Sequence, residues 1–496
     1  MAAPPVPSSG AARNDRHPAE IAPLSTDNAS YRDGVLVWDG SQLRDEDIIT
    51  VTRANEEQVA SKVGYHIWSL TTADSSSLPD SPPPFRLITH SASTLPRPFL
   101  DKHLFPGLST HLDQKANILH VLISTLSGTG LAPQFFDDVL EPLLGAIGWK
   151  ESEYRVVRTK SAESVKEFAQ SQLLVEANNG KKQTVLMLSG DGGMVDTING
   201  LLERGDRSRY ILKMPSVLLI FDCELLTRTQ YSAYTKPVLS QLPLGTGNAL
   251  FHSLHKTSTL PSLYIQGLRT LLRGTPRPLP IFRATFSPGA RALTNEAQTQ
   301  TPLHNDTLYG AVVASYGLHA TLVADSDTTE YRKHGAQRFA LVAKDLLDPP
   351  EGGDPHAYRA EVTLTRSDEK EHVIARKEHG YVLAALVSNL EKTFTISPAS
   401  KPLDGQLRVV HFGPLDGQKT MRIMTEAYNN GNHISMDAVG YERVQGMQIK
   451  FLEEGQDWKW RRCCVDGLIV GVEPGGWMDV RKVEGGIEPV EVVIDM

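Results

Sequence analysis

The stretch that decides the fold is 184-TVLMLSGDGGMVDTINGL-201. Val185 to Leu188 is a continuous apolar run of strand length, and Met194, Ile198, Leu201 and Leu202 recur at helical spacing. Ser189 to Gly193 must therefore turn a buried strand into a helix. Three glycines in that turn, Gly190, Gly192 and Gly193, leave backbone amides with no side chain in front of them. The new helix adds its unpaired N–H groups and the positive end of its dipole, and such a nest suits a phosphate. An ordinary strand-to-helix turn has the same composition, so the motif alone does not separate the two readings.

The same unit repeats outward from this stretch. From Asn117, "NILHVLIST" reads as a buried strand, "LSGTGLA" as a turn and "PQFFDDVLEPLLGAI" as an amphipathic helix that opens on a tolerated proline. "EYRVVRTK" followed by "SAESVKEFAQSQLL" is strand then helix again. Repeated strand–helix units imply a Rossmann-like α/β domain, a parallel sheet covered on both faces, with ligands at the carboxyl ends of its strands. Past residue 275 the strands "LPIFRATF", "LYGAVVASYG", "RAEVTLT", "HGYVLAALVS", "QLRVVHFG" and "MQIKFLE" follow one another with helical pieces only near Gln337–Leu347 and Thr420–Tyr428. That pattern predicts a β-sandwich and a ligand cleft beside it. Near the other end, "GVLVW", "IITVTR", "YHIWSL" and "FRLITHSAS" predict a small β-rich module. The expected organisation is a disordered lead over 1–33, a β-rich module and linker over 34–114, the α/β domain over 115–275 and the β-sandwich over 276–496. A chain of 496 residues exceeds what one core usually serves, in keeping with several domains.

Composition narrows the function. A formal net charge of −8 gives no electrostatic reason to expect a nucleic-acid partner. The three cysteines, Cys223, Cys463 and Cys464, are odd in number and two are adjacent, which points to a reducing, cytoplasmic setting and not to a disulfide framework. "MAAPPVPSSGAARNDRHPAE" lacks the apolar centre of a secretory signal. Val217–Phe221 and Tyr381–Val387 fall far short of the roughly 20 residues that cross a bilayer, so any expected membrane contact is peripheral.

A second glycine-rich turn, 241-QLPLGTGNAL-250, offers backbone amides at Gly245 and Gly247, the Thr246 hydroxyl and the Asn248 carboxamide. Two such loops at successive sheet edges can close over one polyphosphate. Other nucleotide and hydrolase signatures are missing: no G-x-x-x-x-G-K-[ST], no third glycine in "SGTGLAPQ", no G-x-S-x-G and no H-E-x-x-H. His372, Glu378 and His379 have the wrong spacing for a metal and read as solvated surface.

Together, "SGDGGMVDTINGL" and "LPLGTGNAL" resemble the catalytic domain shared by diacylglycerol, ceramide and sphingosine kinases, whose loops read G/S-G-D-G-x-x-x-E and P-x-G-T/S-G-N. Asn248 followed by Ala249 is closer to the sphingosine kinases than to the diacylglycerol kinases. "ADSDTTEYRKHGAQRF", residues 324–339, is similar to a sphingosine-kinase segment with an acidic pair, Tyr-Arg, Gly and Arg-Phe. "KPLDGQLRVVHFG" and "CVDGLIVGVEPGG" resemble two late motifs. The resemblance covers about residues 95–496, patchily after 340. It departs at Ser124 and Thr125, where the family has Asn-Pro, at Asp196, where it has Glu, and at Leu468, where it has the Glu of Asp-Gly-Glu.

The resemblance implies an ATP-dependent, Mg²⁺-assisted lipid kinase acting on the primary hydroxyl of a sphingoid base at a peripheral membrane surface, with diacylglycerol or ceramide as alternative acceptors. It implies nucleotide contacts at Ser124, Ser127, Gly128, Thr159, Ser189, Gly190, Gly192, Gly193, Asp196, Gly245, Thr246, Gly247, Asn248, Arg332, Arg338, Asp466 and Gly467, and a lipid head-group contact at Asp325 or Asp327. Phosphoryl transfer needs the donor phosphate held and its charge neutralised, which glycine amides and arginines can do. The attacking alcohol must also lose a proton, and Asp191 is the candidate carboxylate base. Leu318, Leu322, Phe339 and Leu341 are candidates for an acyl channel, or for ordinary core. Two other readings compete: a lipid- or nucleotide-binding pseudokinase, suggested by Ser124 and Leu468, and a soluble NAD kinase or phosphofructokinase-like enzyme, suggested by the Gly-Asp-Gly loop alone.

Overall fold

A computed structural model describes residues 19–24, 29–55, 63–72, 84–125, 128, 130–203, 234–349, 352–486 and 488–495. Ser127, Cys223 and Val217–Phe221 lie outside the described residues. The chain divides into two compact units, one of residues 1–107 with 134–151, the other of 108–133 with 152–496.

The first unit is built on a four-stranded sheet in the order Ala19–Leu24, Phe85–Ala92, Tyr65–Thr72, Ile48–Arg53, next to a three-stranded meander of Ser30–Arg32, Val35–Trp38 and Ser41–Arg44. Ala19–Leu24 and Ser30–Arg32 lie inside the stretch expected to be a disordered lead. The first pairs in parallel with Phe85–Ala92, a long-range partner that no local pattern announces. Phe85 also packs edge-on against Phe135, with ring centroids 4.9 Å apart, and the helical segment 134–151 belongs to this unit.

The second unit holds the α/β layer. Its sheet runs Thr275–Pro278, Glu491–Ile494, Val238–Pro243, Lys182–Ser189, Asn117–Ile123, Tyr154–Arg158. The last five strands are mutually parallel, in registers such as Thr184 opposite Val238, Leu188 opposite Ile123 and Leu119 opposite Tyr154. Lys182–Ser189 is buried along nearly its whole length, as a central parallel strand must be. The helix Asp191–Glu203 follows it directly. Glu491–Ile494, expected in the β-sandwich, instead lies parallel to Val238–Pro243. Its short apolar run fits either sheet, and only tertiary pairing decides between them.

Two antiparallel sheets make up the rest of this unit. One runs Thr307–Gly310, Phe282–Phe286, Trp477–Lys482, Gly446–Phe451, Tyr358–Thr365, Glu371–Val373; the other runs Thr299–Pro302, Arg291–Thr294, Leu468–Gly471, Arg462–Val465, Val313–Gly317, Tyr381–Ala385, Leu407–Phe412, Val439–Val444. Period-two alternation explains how they stack. Ala314, Tyr316, Val382, Ala384 and Val409 join a core with Phe282, Ala360, Ile449 and Val480 of the facing sheet. Their neighbours Val313, Leu383, Ala385, Val410 and Phe412 point the other way, into a core shared with Val185, Met187, Met194 and Ile198 of the α/β layer. The second sheet is thus buried on both faces, and Cys463 and Cys464 are buried free thiols. His379, expected on a solvated surface, is buried: it pairs with Tyr358, and its Nε2 lies 3.2 Å from the Ala360 carbonyl oxygen. Glu378 and His372 are exposed as expected.

Asn199 joins the two layers. Its Nδ2 donates to the Tyr309 carbonyl at 2.8 Å, and its Oδ1 accepts the Tyr309 N–H at 2.9 Å. Replacing it with alanine strands both backbone groups of Tyr309 in a largely buried setting. Asn199→Ala should cost about 2–4 kcal/mol, read as a lower urea midpoint with an unchanged slope.

Candidate active site

Three loops meet at the carboxyl ends of the parallel strands. The first follows Asn117–Ile123: the Ser124 N–H donates to the Leu188 carbonyl at 3.1 Å. Thr125 is tied to Thr159, its N–H donating to the Thr159 hydroxyl at 2.9 Å and its own hydroxyl to the Thr159 carbonyl at 2.6 Å. The second loop is Ser189–Gly193 and the third Gly245–Asn248. Their glycines touch backbone to backbone. A Cβ on Gly245 would meet the Gly190 Cα at 2.3 Å, and one on Gly128 would meet the Leu244 carbonyl oxygen at 2.4 Å. One on Gly193 would meet the Ser189 hydroxyl at 2.4 Å, whereas one on Gly192 would meet nothing within 4 Å. Gly192 therefore leaves bare backbone facing open space at a helix N-terminus, the cradle that a phosphate needs.

Asp191 locks the second loop to the third. Its Oδ2 accepts the Ala249 N–H at 2.6 Å and its Oδ1 the Leu250 N–H at 3.0 Å, which satisfies the start of the helix Ala249–Leu254. Asn248, at φ 54°, turns back on its own loop: Oδ1 accepts the Gly245 N–H at 3.1 Å and Nδ2 donates to the Gly245 carbonyl at 2.8 Å. Burial pushes the Asp191 carboxyl up, and the Leu250 and Ala249 amides work against that rise.

Asp466 occupies a two-residue hairpin with Gly467, both at positive φ, between Arg462–Val465 and Leu468–Gly471. Its carboxylate accepts N–H groups from Ala311 at 2.5 Å, Val312 at 3.1 Å and Val313 at 2.6 Å. Burial pushes it up to about 7, and the charge of Asp191 adds to the rise. The β-sandwich and the α/β layer thus bring two buried carboxylates within electrostatic reach.

Asp196 lies farther along the Asp191–Glu203 helix, where burial and then Glu163 push it up to about 7, with Lys166 opposing. Arg332 holds Asp327 with two bonds, at 3.0 and 2.6 Å, and Arg338 approaches the same carboxylate at 3.5 Å. Among the described residues neither arginine pairs with Asp191 or the glycine loops. Asp325 pairs with Arg462 at 2.8 Å. The structure therefore gathers Gly128, Gly190, Gly192, Asp191, Gly245, Asn248 and Asp466 in one place and sets Asp325, Asp327, Arg332 and Arg338 in another. Sequence reasoning missed Arg462 and also Asp345, which accepts a hydrogen bond from the Tyr331 hydroxyl. Neither carries a local signal. Asp345 lines a cavity of about 430 Å³ with Leu318, Leu346, Leu347, Tyr358 and Trp460. Of the four candidate channel residues only Leu318 lines it, and Leu341 is exposed.

The diacylglycerol kinase catalytic domain matches residues 118–284 of this chain. That segment is a domain of this family. Human sphingosine kinase 1 is 25% identical over 226 residues, 45% of this chain and 46% of that protein. Sphingosine kinase 2 of Arabidopsis thaliana is 22% identical over 362 residues, 67% of this chain and 64% of that protein. The chain thus spans less than two thirds of the length of these curated relatives. A solved diacylglycerol kinase from Bacillus anthracis superposes with a TM-score of 0.42 at 10% identity, covering 76% of this chain and 97% of that one.

Two outcomes follow for the diacylglycerol-kinase-type domain. Gly245→Ala should destabilise by ~2 kcal/mol or more because backbone must move, while Gly192→Ala should leave the melting temperature within a degree or two of the parent. The folded value of Asp196 lies above the unfolded one, so its contribution to stability is complete below about pH 4 and is lost as pH rises through about 7. The stability of Asp196→Asn relative to the parent should therefore grow between pH 4 and pH 8 in urea titrations, and a constant difference would contradict the shift.

Proposed function

We propose that this chain is an ATP-dependent lipid kinase that phosphorylates the primary hydroxyl of a sphingoid base. The observation that carries the reading is the meeting of three glycine loops around Asp191, with Gly192 left bare. Phosphates of ATP would be held by the amides of the Ser189–Gly193 and Gly245–Asn248 loops, with Ser124 and Thr159 beside them. Among the described residues no three His, Cys, Asp or Glu side chains form a metal site, so Mg²⁺ would arrive on the nucleotide phosphates, where it neutralises their charge. Arg332 and Arg338, which meet at Asp327, are guanidinium groups of the kind that suit a phosphate.

Asp191 is the proposed base. Each of its oxygens accepts one backbone N–H and keeps a second lone pair for the proton of the acceptor hydroxyl. The cavity of about 430 Å³ supports a lipid acceptor, and its wall carries Asp345. Asp325 acts electrostatically on Tyr358 at that wall and on Tyr331. A carboxylate there favours an ammonium head group over a neutral diacylglycerol. Asp325 is better suited than Asp327 because one guanidinium, that of Arg462, meets it where two meet Asp327. No helix among the described residues is long and apolar enough to cross a membrane, which suits a peripheral encounter with the lipid. A second reading, binding without turnover, draws on the same carboxylate, since both Asp191 oxygens already clamp the second loop to the third.

The deciding experiment incubates purified protein with labelled Mg-ATP and sphinganine, ceramide or diacylglycerol in parallel. A labelled sphinganine phosphate is expected, and transfer to diacylglycerol alone would overturn the sphingoid assignment. Asp191→Asn should lower turnover roughly 10²- to 10⁴-fold with ATP affinity retained. Gly192→Val should abolish ATP binding without unfolding the protein. ATP binding with no transfer to any of the three lipids would favour the second reading.

A further inference from the structure

One imidazole in the wall of the cavity of about 430 Å³ is held on every side and leaves a single nitrogen unused. His356 stacks flat on Trp460, with ring centroids 3.8 Å and planes 7° apart, and meets the Tyr358 ring edge-on at 4.9 Å; all three residues line the cavity. Its Nε2 lies 3.2 Å from Oε1 of Glu453, a fully buried carboxylate that also accepts the Arg359 N–H at 2.7 Å. The nitrogen that faces a carboxylate carries the proton, so the neutral ring keeps Nδ1 as a lone-pair acceptor. Burial lowers the pKa of the ring below the ordinary histidine value, against the pull of Glu453, and the imidazole is neutral at physiological pH. Among the described residues Nδ1 has no hydrogen-bond partner, and the side chain is 24% exposed. Two polar neighbours on the same wall are already engaged: the Tyr358 hydroxyl donates to the Thr321 hydroxyl at 2.9 Å, and Asp345 accepts that of Tyr331. Leu318, Leu346, Leu347 and Leu415 suit an alkyl chain, and a fixed acceptor set among them asks for a chain that carries a hydroxyl.

We propose that His356 is a specificity-determining residue of this cavity, its Nδ1 accepting a hydrogen bond from the secondary hydroxyl that a sphingoid base carries beside its amine. The choice of ligand rests on the lipid-kinase reading. A diacylglycerol has no hydroxyl besides the one that would receive the phosphate, so it leaves Nδ1 unpaired, and discrimination against it no longer depends on the ammonium alone. Ceramide keeps the secondary hydroxyl. His356 therefore separates sphingoid lipids from glycerolipids and not one sphingoid lipid from another. Glu453 is the positioning residue, because it selects the tautomer that leaves Nδ1 free to accept.

The test titrates sphinganine, and its analogue without the secondary hydroxyl, into the full chain in mixed detergent micelles with no nucleotide present. Tryptophan fluorescence is the readout, since Trp460 lies against His356. The ratio of the two dissociation constants does not depend on how much of a variant is folded. For the parent, sphinganine should bind roughly 3- to 10-fold more tightly than the analogue, the worth of one neutral hydrogen bond. His356→Phe keeps a flat ring beside Trp460 without an acceptor and should abolish the preference, whereas His356→Asn, with a carboxamide oxygen near the place of Nδ1, should retain part of it. Equal binding of the two lipids by the parent, binding of neither, or a preference that His356→Phe keeps overturns the proposal even if sphinganine is phosphorylated. A preference that His356→Phe loses upholds it even if no lipid receives a phosphate.

Discussion

The close approach of Gly190 and Gly245 is the constraint on which the site depends. A single added carbon on Gly245 would come within 2.3 Å of the Gly190 Cα, so no other residue can stand there while the loops keep their places. Because backbone meets backbone, the amides at the two strand ends converge without intervening side chains. Asp191 then reaches across to the Ala249 and Leu250 amides and fixes the separation. Geometry that elsewhere would need a metal or a bound ion is held here by one carboxylate and the absence of β-carbons.

Such an arrangement carries an electrostatic cost. Asp191 and Asp466 are both pushed up by burial, and the charge of one raises the other. Five backbone N–H groups offset the cost, two at Asp191 and three at Asp466. Paired buried carboxylates are a poor way to stabilise a fold, and replacing them with apolar groups is commonly neutral or better. Carboxylates held in such a setting at the meeting of the α/β layer and the β-sandwich mark a functional site, and the Mg²⁺ that would arrive on ATP brings the charge to offset theirs.

The α/β layer was legible in the sequence because its signals are local. The apolar run of Val185–Leu188, the glycines after it and the 3.6-residue spacing from Met194 define strand, turn and helix with no outside information. The paired loops were legible for the same reason. What stayed hidden depends on distant partners: Ala19–Leu24 is a strand because Phe85–Ala92 lies beside it, and Glu491–Ile494 crosses back to Val238–Pro243. His379 looked solvated because its neighbours in sequence are charged, yet strand pairing with Tyr358 buries it. The contact of Asn199 with Tyr309 spans 110 residues and has no sequence signature at all.

The separation of the two charged groups bears on how a site of this kind would work. Arg332 and Arg338 spend their charge on Asp327 as the chain stands, away from the glycine loops. The Arg332–Asp327 pair is exposed, and such a pair is worth little in water, so exchanging its carboxylate for a more highly charged phosphate costs little and gains more. Releasing Asp327 would in turn leave an exposed carboxylate without its guanidinium partners.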